Sequence, residues 1–527
     1  MEIECMDFSK DEFSRKFQNK DKELMRFYQG LDFDKESIDK VIKRKPHSHT
    51  EALADIISED MSRYGLSDAQ TENLSKLKSG NRVVIAGQQA GLFMSPSYIM
   101  HKIISILSVT KNIKEKFNYD AVPVFWSAGE DHDFEEINHT FIYSKNHRRR
   151  RKISYKPNLN VPMSIGFYEY DKKAMHGTLE KVVTELGDSV YLKELKQRVA
   201  ELIDAHTYWT ELFHALVHDE FKDDGLLIFN AHLPAVRKLE QPLFKKLLIN
   251  HGQVDQAFRE GQRVFCDKLN IPPTIQTETN VHLFSDSSAE RHLMTEKDGV
   301  YQLLNEEATE SELLNKIDEN PSEFSNNVVT RPLMQEMMFN TLVFLGGGAE
   351  VKYWGEIHRV FEVMDVPMPI VMKRMEFVHI SERIQKLMDS HGLSFSNRLI
   401  EDAALLKEKM VDDEISESFI QTVENMKKET EKMYHQLREV NDKPYMEALI
   451  NANLEVQRKQ MDYLERRYQV EARRKHRTHL NDIDEITECL FPDGALQERK
   501  YHPWQYTDYF NGLTSLSYTP DLILLKK

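Results

Sequence analysis

The amino-acid sequence predicts an α/β protein in which a parallel sheet is followed by an antiparallel pair of coiled-coil helices. Short apolar runs alternate with helical segments over most of the chain, which is typical of a parallel sheet covered on both faces. A heptad pattern replaces this alternation in the last third. The 527 residues are 40% hydrophobic and 30% charged, which is enough apolar material for at least one large core.

Five apolar runs are predicted to be the strands of the sheet. They are Arg82–Ala86, Ala121–Trp126, Leu226–Phe229, Thr341–Leu345 and Pro367–Met372. Each run is short and is bounded by glycine or polar residues, as buried strands usually are. Helices are predicted from about Ser97 to Phe117 and over Ala349–Met364, and the segment up to about Leu77 is predicted to be helical.

Two stretches interrupt the alternation of strands and helices. Thr140–Tyr170 is predicted to be a β-rich insertion, and Gln276–Pro332 is similarly mixed. The basic run Arg148–Lys152 is predicted to be a solvated turn in the first of them. Insertions of this kind often carry the specificity of α/β enzymes.

The heptad pattern predicts a helical hairpin. Apolar residues recur at alternating spacings of four and three from Phe419 to Val440 and again from Ile450 to Tyr468, with a break at Asn441–Pro444. Two helices joined by a short turn would form an antiparallel arm that projects from the body. Such an arm usually binds a partner, often a second copy of the chain; two helices packed on the main body are the alternative.

Charge and composition exclude several classes of protein. Acidic residues outnumber basic ones, 86 against 70, so the formal net charge is −16, and we expect neither nucleic acid nor an anionic membrane as a partner. No segment reaches the roughly 20 apolar residues that span a bilayer, and Met1–Lys20 lacks the pattern of an export signal. Cys5, Cys266 and Cys489 cannot form a disulfide framework or a Cys-rich zinc cluster. We therefore expect a cytoplasmic protein without zinc.

The first candidate site follows the first predicted strand. It contains Gln88, Gln89, Tyr98, His101 and Lys102. Ligands of open α/β sheets bind at the carboxyl ends of strands, beside helix N-termini. Paired glutamines suit a carboxylate, a hydroxyl or an amide, and a turn with solvated amides is the alternative. The segment matches neither a dinucleotide fingerprint nor a Walker A loop.

The second candidate site follows the second predicted strand, where acidic and histidine residues are crowded. They are Glu130, Asp131, His132, Asp133, Glu135, Glu136 and His139. Like charges this close need a ligand or a cation to offset their repulsion. The carboxylates could act as a general base with a histidine as acid/base partner, or the group could hold a metal. The first turn of a capped helix is the alternative.

Three further clusters are weak signals when each is taken alone. They are Arg331 with Gln335; the Gly346-Gly347-Gly348 turn with Glu350, Tyr353, Trp354 and, after the next apolar run, Arg374; and Gln497, Glu498 and Arg499. A triple-glycine turn lets backbone amides approach a ligand closely.

In this order the clusters resemble the bacillithiol biosynthesis cysteine-adding enzymes, a family of cysteine ligases. The resemblance is carried by Gly87–Gly91, Pro123–Trp126 with Gly129–Asp133, Arg331-Pro332 with Gln335, Gly347 with Glu350, Tyr353 and Trp354, Val366–Pro369 with Arg374, and Gln497-Glu498-Arg499. It spans nearly the whole chain, with the heptad arm in the expected place.

The resemblance implies a Rossmann-like parallel-sheet core with two connecting-peptide insertions and an antiparallel α-helical coiled-coil domain that forms a homodimer. The implied division is an N-terminal helical segment (1–78), a core (79–139, 173–254 and 331–380), two insertions (140–172 and 255–330), a coiled-coil arm (381–480) and a C-terminal segment (481–527). The implied reaction joins the carboxyl group of cysteine to the amine of glucosaminyl-malate and forms bacillithiol.

The resemblance also suggests roles for the clusters. Asp131, His132 and Asp133 are expected to orient and deprotonate the attacking amine. Arg331 and Arg374 are expected to neutralise the malate carboxylates, since a guanidinium fork suits a carboxylate. The other expected substrate-binding residues are Gln88, Gln89, Tyr98, His101, Lys102, Gln335, Glu350, and, on the sugar face, Tyr353 and Trp354. Gln497, Glu498 and Arg499 are candidates for binding a nucleotide.

Amide formation from a free carboxylate is uphill, so activation by ATP and Mg²⁺ is expected from the chemistry. No synthetase-type HxGH or KMSKS motif supports it, because the stretch that matches the first reads Ser95-Pro96-Ser97-Tyr98. Two other functions remain open. One is a metal-dependent hydrolase that uses Glu130, Asp131, His132 and Asp133, and the other is a coiled-coil interaction protein with an inactive α/β body.

Overall fold

The structure of the protein is a computed structural model that describes residues 2–9, 11–156, 163–187, 189–286, 290–304, 306–510 and 512–527. The chain divides into two units, the first formed by Met1–His379 and Leu496–Leu525, the second by Ile380–Ala495 and Lys526–Lys527. Parts of both predicted insertions, residues 157–162, 287–289 and 305, lie outside the described residues. None of the described helices is both long and apolar enough to cross a bilayer.

Strands occur along most of the chain, and helices lie between them and make up most of the second unit. In chain order the strands are β1 (Glu2–Met6), β2 (Val83–Gln88), β3 (Val122–Ser127), β4 (His139–Ser144), β5 (Arg149–Ser154), β6 (Leu227–Asn230), β7 (Leu283–Ser285), β8 (His292–Leu293), β9 (Thr295–Lys297), β10 (Val300–Gln302), β11 (Glu307–Thr309), β12 (Phe324–Asn326), β13 (Thr341–Gly346), β14 (Ile370–Lys373), β15 (Glu376–Ile380) and β16 (Leu522–Lys526). The helices are α1 (Glu12–Gln18), α2 (Lys22–Met25), α3 (Lys35–Ile42), α4 (Thr50–Ser62), α5 (Asp68–Lys78), α6 (Tyr98–Phe117), α7 (Phe134–Ile137), α8 (Lys172–Leu186), α9 (Val190–Ala205), α10 (Trp209–Phe221), α11 (Pro234–Ile249), α12 (His251–Leu269), α13 (Glu310–Glu319), α14 (Arg331–Met338), α15 (Gly348–Glu356), α16 (His358–Val363), α17 (Glu382–His391), α18 (Leu399–Asp412), α19 (Glu417–Glu439), α20 (Pro444–Lys475), α21 (Arg477–Leu490) and α22 (Thr507–Phe510).

The central sheet of the first unit consists of the five predicted strands. Its order is β14-β13-β2-β3-β6 and every pairing is parallel, which confirms the predicted α/β class. All residues of β3 and β13 are buried, as expected for strands covered on both faces. Because the strands are parallel, their carboxyl ends, including Gln88, Ser127 and Gly346, lie along one edge of the sheet.

Three local predictions differ from the structure. The N-terminal segment predicted to be helical begins with a strand, β1, which pairs with β16. The helix predicted over Ala349–Met364 is two helices, α15 and α16, interrupted at Ile357. The basic run Arg148–Lys152, predicted as a turn, lies mostly in β5, and the turn of the β4–β5 hairpin comes before it. Strand alternation places Arg150 and Lys152 on one face, where their charged groups lie 5.3 and 5.9 Å from the centre of the Phe141 ring.

The second unit contains the predicted helical hairpin. Helix α20 begins at Pro444, the last residue of the predicted break, and runs antiparallel to α19. Phe419 stacks on Tyr468 with ring centres 4.1 Å apart near the open end of the hairpin. Lys427 binds Glu465 at 2.8 Å further along the same pair of helices.

The predicted seam divides between two faces of the hairpin. Val423, Ile450 and Leu454 are buried between the helices, as expected. Met433 and Val440 belong to the same heptad pattern but are 59% and 78% exposed. A two-helix hairpin covers only one face of each helix, so part of the apolar pattern remains on the surface.

Candidate functional site

A cavity of about 250 Å³ lies at the carboxyl edge of the central sheet. It is lined by Gly87, Gln88, Gln89, Trp126, Ala128, Asp131, Arg331, Pro332, Gln335, Phe344, Glu350, Tyr353 and Trp354. These residues lie at or just after the ends of β2 and β3, in β13, and in helices α14 and α15. The structure therefore brings four of the five predicted clusters together in one cavity.

A sharp turn after β2 shapes one wall of the cavity. A Cβ atom at Gly91 would lie 1.9 Å from the carbonyl oxygen of Ser95, so only glycine fits there. The turn presents Gln88 and Gln89 to the cavity. The Gln89 amide donates a hydrogen bond to Asp131 Oδ2 at 3.1 Å, which connects the first candidate cluster to the second.

Asp131 is held by two arginines. Arg331 donates from Nη2 to Asp131 Oδ1 and from Nε to Glu130 Oε1 at 3.1 Å, and Arg291 Nη1 lies 3.5 Å from Asp131 Oδ1. Burial opposes ionisation of Asp131, but the guanidinium groups of Arg331 and Arg291 outweigh it and lower the pKa of the carboxyl. Asp131 is therefore an ionised hydrogen-bond acceptor and a poor proton acceptor near neutral pH.

The two neighbours of Asp131 in the predicted catalytic set are placed differently. Arg291 Nη1 lies 3.3 Å from His132 Nδ1, and because arginine can only donate, that nitrogen accepts and the ring proton is on Nε2. Burial, then the charge of Arg291, lowers the pKa of His132. Asp133 is exposed, precedes α7, and does not line the cavity. The structure thus brings only Asp131 of this set into the cavity wall.

Lys102 is buried and holds residues of the cavity wall in place through hydrogen bonds. The side chain is 1% exposed, and Nζ donates to Gly87 O at 2.6 Å, Gln88 Oε1 at 2.9 Å and Glu350 Oε2 at 2.8 Å. Burial lowers the pKa of Lys102, and the carboxylate of Glu350 partly opposes this effect. The Gln88 amide in turn donates to the hydroxyl of Tyr98 at 2.9 Å. Lys102 and Tyr98 thus fix Gln88 and Glu350, but neither lines this cavity.

Aromatic rings form another part of the wall of this cavity. Trp354 stacks on Phe344 with ring centres 4.3 Å apart, and burial raises the pKa of Tyr353 well above its ordinary value. The buried indole nitrogen of Trp126 has no hydrogen-bond partner among the described residues. Aromatic faces beside a few carboxylates and amides are typical of pockets for small polar ligands.

Arg374, His101 and Glu498 form a separate cluster in the interior. Arg374 Nη1 donates to Glu498 Oε2 at 3.2 Å, and His101 Nδ1 lies 2.7 Å from the same oxygen. All three side chains are at most 2% exposed. Burial disfavours the charge of Glu498, but Arg374 outweighs burial and lowers the pKa of the carboxyl. Gln497 is also buried and donates to the carbonyl of His379.

This interior cluster corrects part of the predicted site. The Arg374 guanidinium is bound to a buried carboxylate and is not placed to neutralise a substrate carboxylate. His101, Gln497 and Glu498 likewise line neither a substrate nor a nucleotide surface. Of the residues predicted to bind a nucleotide, only Arg499 is exposed.

Sequence reasoning missed two arginines, Arg237 beside Glu130 and Arg291 beside Asp131. Arg237 Nη1 donates to Glu240 Oε2 at 2.8 Å, and its Nη2 lies 3.7 Å from Glu130 Oε2. Arg291, from the second insertion, stacks on Phe284 at 3.7 Å and reaches Asp131. No motif marks either arginine. Trp126, by contrast, could be assigned to the site from the sequence, because it ends the second apolar run.

The acidic cluster binds guanidinium groups, and its geometry does not favour the hydrolase alternative. Glu130 and Asp131 both contact Arg331. Across the described ranges, no three histidine, cysteine, aspartate or glutamate side chains converge as a metal site would require.

Comparison with protein families agrees with this architecture. The family model described as the N-terminal Rossmann-like domain of bacillithiol biosynthesis BshC matches residues 1–375. The model described as the C-terminal coiled-coil domain of the same family matches residues 377–513. The predicted Rossmann-like core and coiled-coil domain are thereby confirmed.

Full-length relatives lead to the same family. The protein named "Putative cysteine ligase BshC" from Staphylococcus haemolyticus is 37% identical over 527 residues, which cover 98% of each chain. The protein of that name from Staphylococcus aureus strain MRSA252 is 37% identical over 528 residues, and the one from Staphylococcus carnosus is 35% identical over 503 residues, or 95% of this chain and 94% of the relative. The chain therefore belongs to the BshC family of bacillithiol biosynthesis.

Proposed function

We propose that the protein is a cysteine ligase that joins the carboxyl group of L-cysteine to the amine of glucosaminyl-malate, forming bacillithiol. The observation that carries the proposal is the cavity at the carboxyl edge of the sheet, which combines carboxylates, fixed amides and aromatic faces. Membership of the BshC family supports the same reaction class.

The walls of the cavity suit the acceptor amine. Asp131 and Glu350 are the carboxylates that line it, and both can accept hydrogen bonds from an amine. Tyr353 offers a face for the sugar ring, whereas Trp354, although it borders the cavity, is fully buried and stacked on Phe344 and Phe361. Gln88, Gln89 and Gln335 offer amides for the sugar hydroxyls. The amine would then be positioned to attack an activated carboxyl group.

In the coupling step, the nitrogen lone pair attacks the carbonyl carbon of activated cysteine. The new C–N bond forms, the bond from that carbon to the leaving group breaks with its electron pair, and the nitrogen gives one proton to the departing phosphate oxygen or to solvent. Asp131 is a poor acceptor for that proton because Arg331 and Arg291 stabilise its ionised form. We assign Asp131 the task of orienting the amine, in place of the base role expected from the sequence.

Cysteine needs activation before this attack. ATP with Mg²⁺ would supply it by converting the carboxylate into an adenylate or an acyl phosphate. The energy requirement of amide formation supports this part of the proposal. No sequence motif supports it.

A coupling assay tests the function. The protein is incubated with glucosaminyl-malate and cysteine, with and without ATP and Mg²⁺, and the thiol product is scored by mass. We expect product of the mass of bacillithiol only when ATP is present. Product without ATP would exclude ATP as the activator, and no product in either mixture would contradict the proposed reaction.

We further propose that the hairpin forms a homodimer. Apolar residues at spacings of four and seven form an exposed stripe along α20, each between 42% and 75% exposed: Tyr445, Leu449, Val456, Tyr463 and Val470. This spacing is that of a coiled-coil face, and large exposed apolar patches usually mark interaction surfaces.

The dimer is tested by sedimentation of the full chain. Val456→Glu places a charge within the stripe and is expected to shift the protein to monomer. Asn451→Glu adds the same charge on another exposed face of α20 and should leave the dimer intact. A wild-type chain that sediments as a monomer would contradict this part of the proposal.

A further inference from the structure

A second cavity of about 300 Å³ adjoins the first and has no role in the chemistry described above. Gln88 and Gln89 line both cavities, so the two meet at these side chains. The other walls of the second cavity include the start of α6, the segment around His139 and Phe141, and the pair Arg499-Lys500. All of these residues belong to the first unit.

Basic groups predominate around the second cavity. Two cationic side chains, Arg499 and Lys500, line it, against one carboxylate, Glu136. Arg499 is exposed and forms no salt bridge with any residue that the structure describes. The side chain of Arg499 therefore has its hydrogen-bond donors available for a ligand.

A group of cations beside the cavity adds to this positive charge. Lys500 Nζ lies 5.6 Å from the centre of the Phe141 ring, and the same ring is approached by Arg150 and Lys152. Burial, and after it the charge of Lys152, lowers the pKa of His139, as a positive surrounding would.

The start of helix α6 adds a further partial positive charge beside the second cavity. Tyr98 and Ile99, its first residues, line the second cavity, and the helix is 20 residues long. The N-terminus of a helix carries a partial positive charge that favours anions. The helix, the arginine and the lysine thus all favour a negatively charged group.

The two cavities therefore differ in charge on either side of Gln88 and Gln89. The first has the carboxylates Asp131 and Glu350 and the aromatic wall, and the second has the basic groups. The proposed acceptor has the same asymmetry, with an amine on its sugar and two carboxylates on its malyl group. Ligand pockets usually enclose roughly 300–1,000 Å³, so a two-substrate reaction is expected to need both cavities.

We propose that the second cavity is the dicarboxylate subsite of the acceptor, in which Arg499 and Lys500 bind the malyl carboxylates while the amine lies in the first cavity. This inference rests on the proposed function for the identity of the acceptor. Gln88, held by Lys102 and Tyr98, would lie at the junction and fix the orientation of the bound molecule. Arg499 and Lys500 are then the residues that select a malyl-substituted sugar over a plain amino sugar.

Equilibrium binding to the full chain tests the subsite without requiring turnover. Calorimetry with glucosaminyl-malate should show at least tenfold weaker binding for Arg499→Gln and a larger loss for Arg499→Gln/Lys500→Gln, since hydrogen bonds to charged groups are strong. Binding of methyl glucosaminide, which has the amine but no carboxylates, should change less than twofold. Thermal unfolding of each variant verifies that it is folded.

The β4–β5 hairpin offers a matched pair of control variants. Lys152 is on the Phe141 face of β5, whereas its neighbour Arg151 pairs with Glu185 at 3.3 Å. Lys152→Gln should weaken binding of glucosaminyl-malate a few-fold, and Arg151→Gln should leave it unchanged. Equal effects of these two substitutions would overturn the assignment.

A phosphate of the activating nucleotide is the other anion that could occupy this cavity. Titrations with ATP and pyrophosphate, run in parallel, distinguish phosphate binding from binding of the malyl carboxylates. If the double variant loses ATP or pyrophosphate binding but binds glucosaminyl-malate like the wild type, the dicarboxylate subsite is excluded. If the wild type binds glucosaminyl-malate through Arg499 and Lys500 but forms no product, the proposed reaction fails and the subsite stands. A wild type that does not bind glucosaminyl-malate would overturn the inference.

Discussion

The first unit contains two arginine–carboxylate clusters, one formed by Arg331 and Asp131 and the other by Arg374 and Glu498. The side chains of the first pair are 27% and 16% exposed and line a cavity, whereas those of the second are 2% and 0% exposed. In both clusters, the guanidinium keeps the carboxyl pKa low against burial. The two clusters therefore have similar electrostatics. Only the Arg331–Asp131 cluster is accessible to a ligand, and this access distinguishes a candidate site from a structural ion pair.

The difference has an energetic consequence. A buried ion pair contributes little to stability compared with apolar residues of the same shape, but removing one partner leaves an uncompensated buried charge. We therefore expect changes in the interior cluster to affect folding and changes in the cavity cluster to affect coupling. Four substitutions test this division. The first three are given in order of decreasing effect, and the fourth tests the pH dependence of the interior cluster.

Arg374→Met should lower the free energy of unfolding by about 3–5 kcal/mol, because Glu498 would remain buried without its cation. Urea denaturation measures the loss. Arg458→Met is the matched control: Arg458 also pairs with a glutamate, Glu431, but the two side chains are 44% and 47% exposed, so the loss should be less than about 1 kcal/mol. Similar losses for the two variants would contradict the interior role of Arg374.

Asp131→Asn should reduce kcat/KM for coupling by about 100-fold or more, since it removes a fixed charge that orients the amine. Steady-state kinetics with varied glucosaminyl-malate measures it. Asp133→Asn changes an exposed residue of the same cluster that lies outside the cavity, and its rate should remain within about twofold of wild type. A loss as large for Asp133→Asn would restore the base role expected from the sequence.

Glu350→Gln should raise KM for glucosaminyl-malate by about tenfold with a smaller change in kcat. The carboxylate accepts from Lys102 Nζ and from the Gly347 N–H at 2.7 Å, and an amide cannot keep both bonds and also accept from the amine. Glu362→Gln, on the exposed face of α16, is the control and should have no effect. An unchanged KM for Glu350→Gln would remove Glu350 from the amine site.

The stability difference between wild type and Glu498→Gln should depend on pH. The folded-state pKa of Glu498 is depressed below its ordinary value of 4.5, so its charged form stabilises the protein fully above that pH. The contribution is lost as pH falls below 4.5 toward the folded pKa. Thermal unfolding of both proteins from neutral to acidic pH should show the gap closing, and a gap independent of pH would contradict the assignment.

Sequence patterns predicted the sheet well because its strands obey local rules. Each of the five apolar runs is a strand of the parallel sheet, displaced by at most a few residues. Parallel strands place their carboxyl ends at one edge, so residues just after them could be assigned to a common site. Gln88, Asp131 and Glu350 were found by this argument, and all three line the cavity.

Solvent access and distant partners could not be predicted in this way. Arg374 follows a strand just as Asp131 does, and only packing of the segment around Glu498 removes it from solvent. Arg291 reaches Asp131 from a part of the sequence without a recognisable pattern. The heptad rule found both helices of the hairpin but could not decide whether Val440 faces the other helix or solvent.

The order in which the chain is synthesised gives the interior cluster a further consequence. The first unit is completed by residues 496–525, which are made only after residues 380–495 of the second unit. At about 5–20 residues per second, Arg374 waits about 6–25 s and His101 about 20–80 s for the carboxylate of Glu498. During that interval the nascent first unit carries unmatched positive charge in its core and is expected to depend on chaperones. A chain that stops at Ala495 should accordingly fail to fold, although it contains every residue that lines the first cavity.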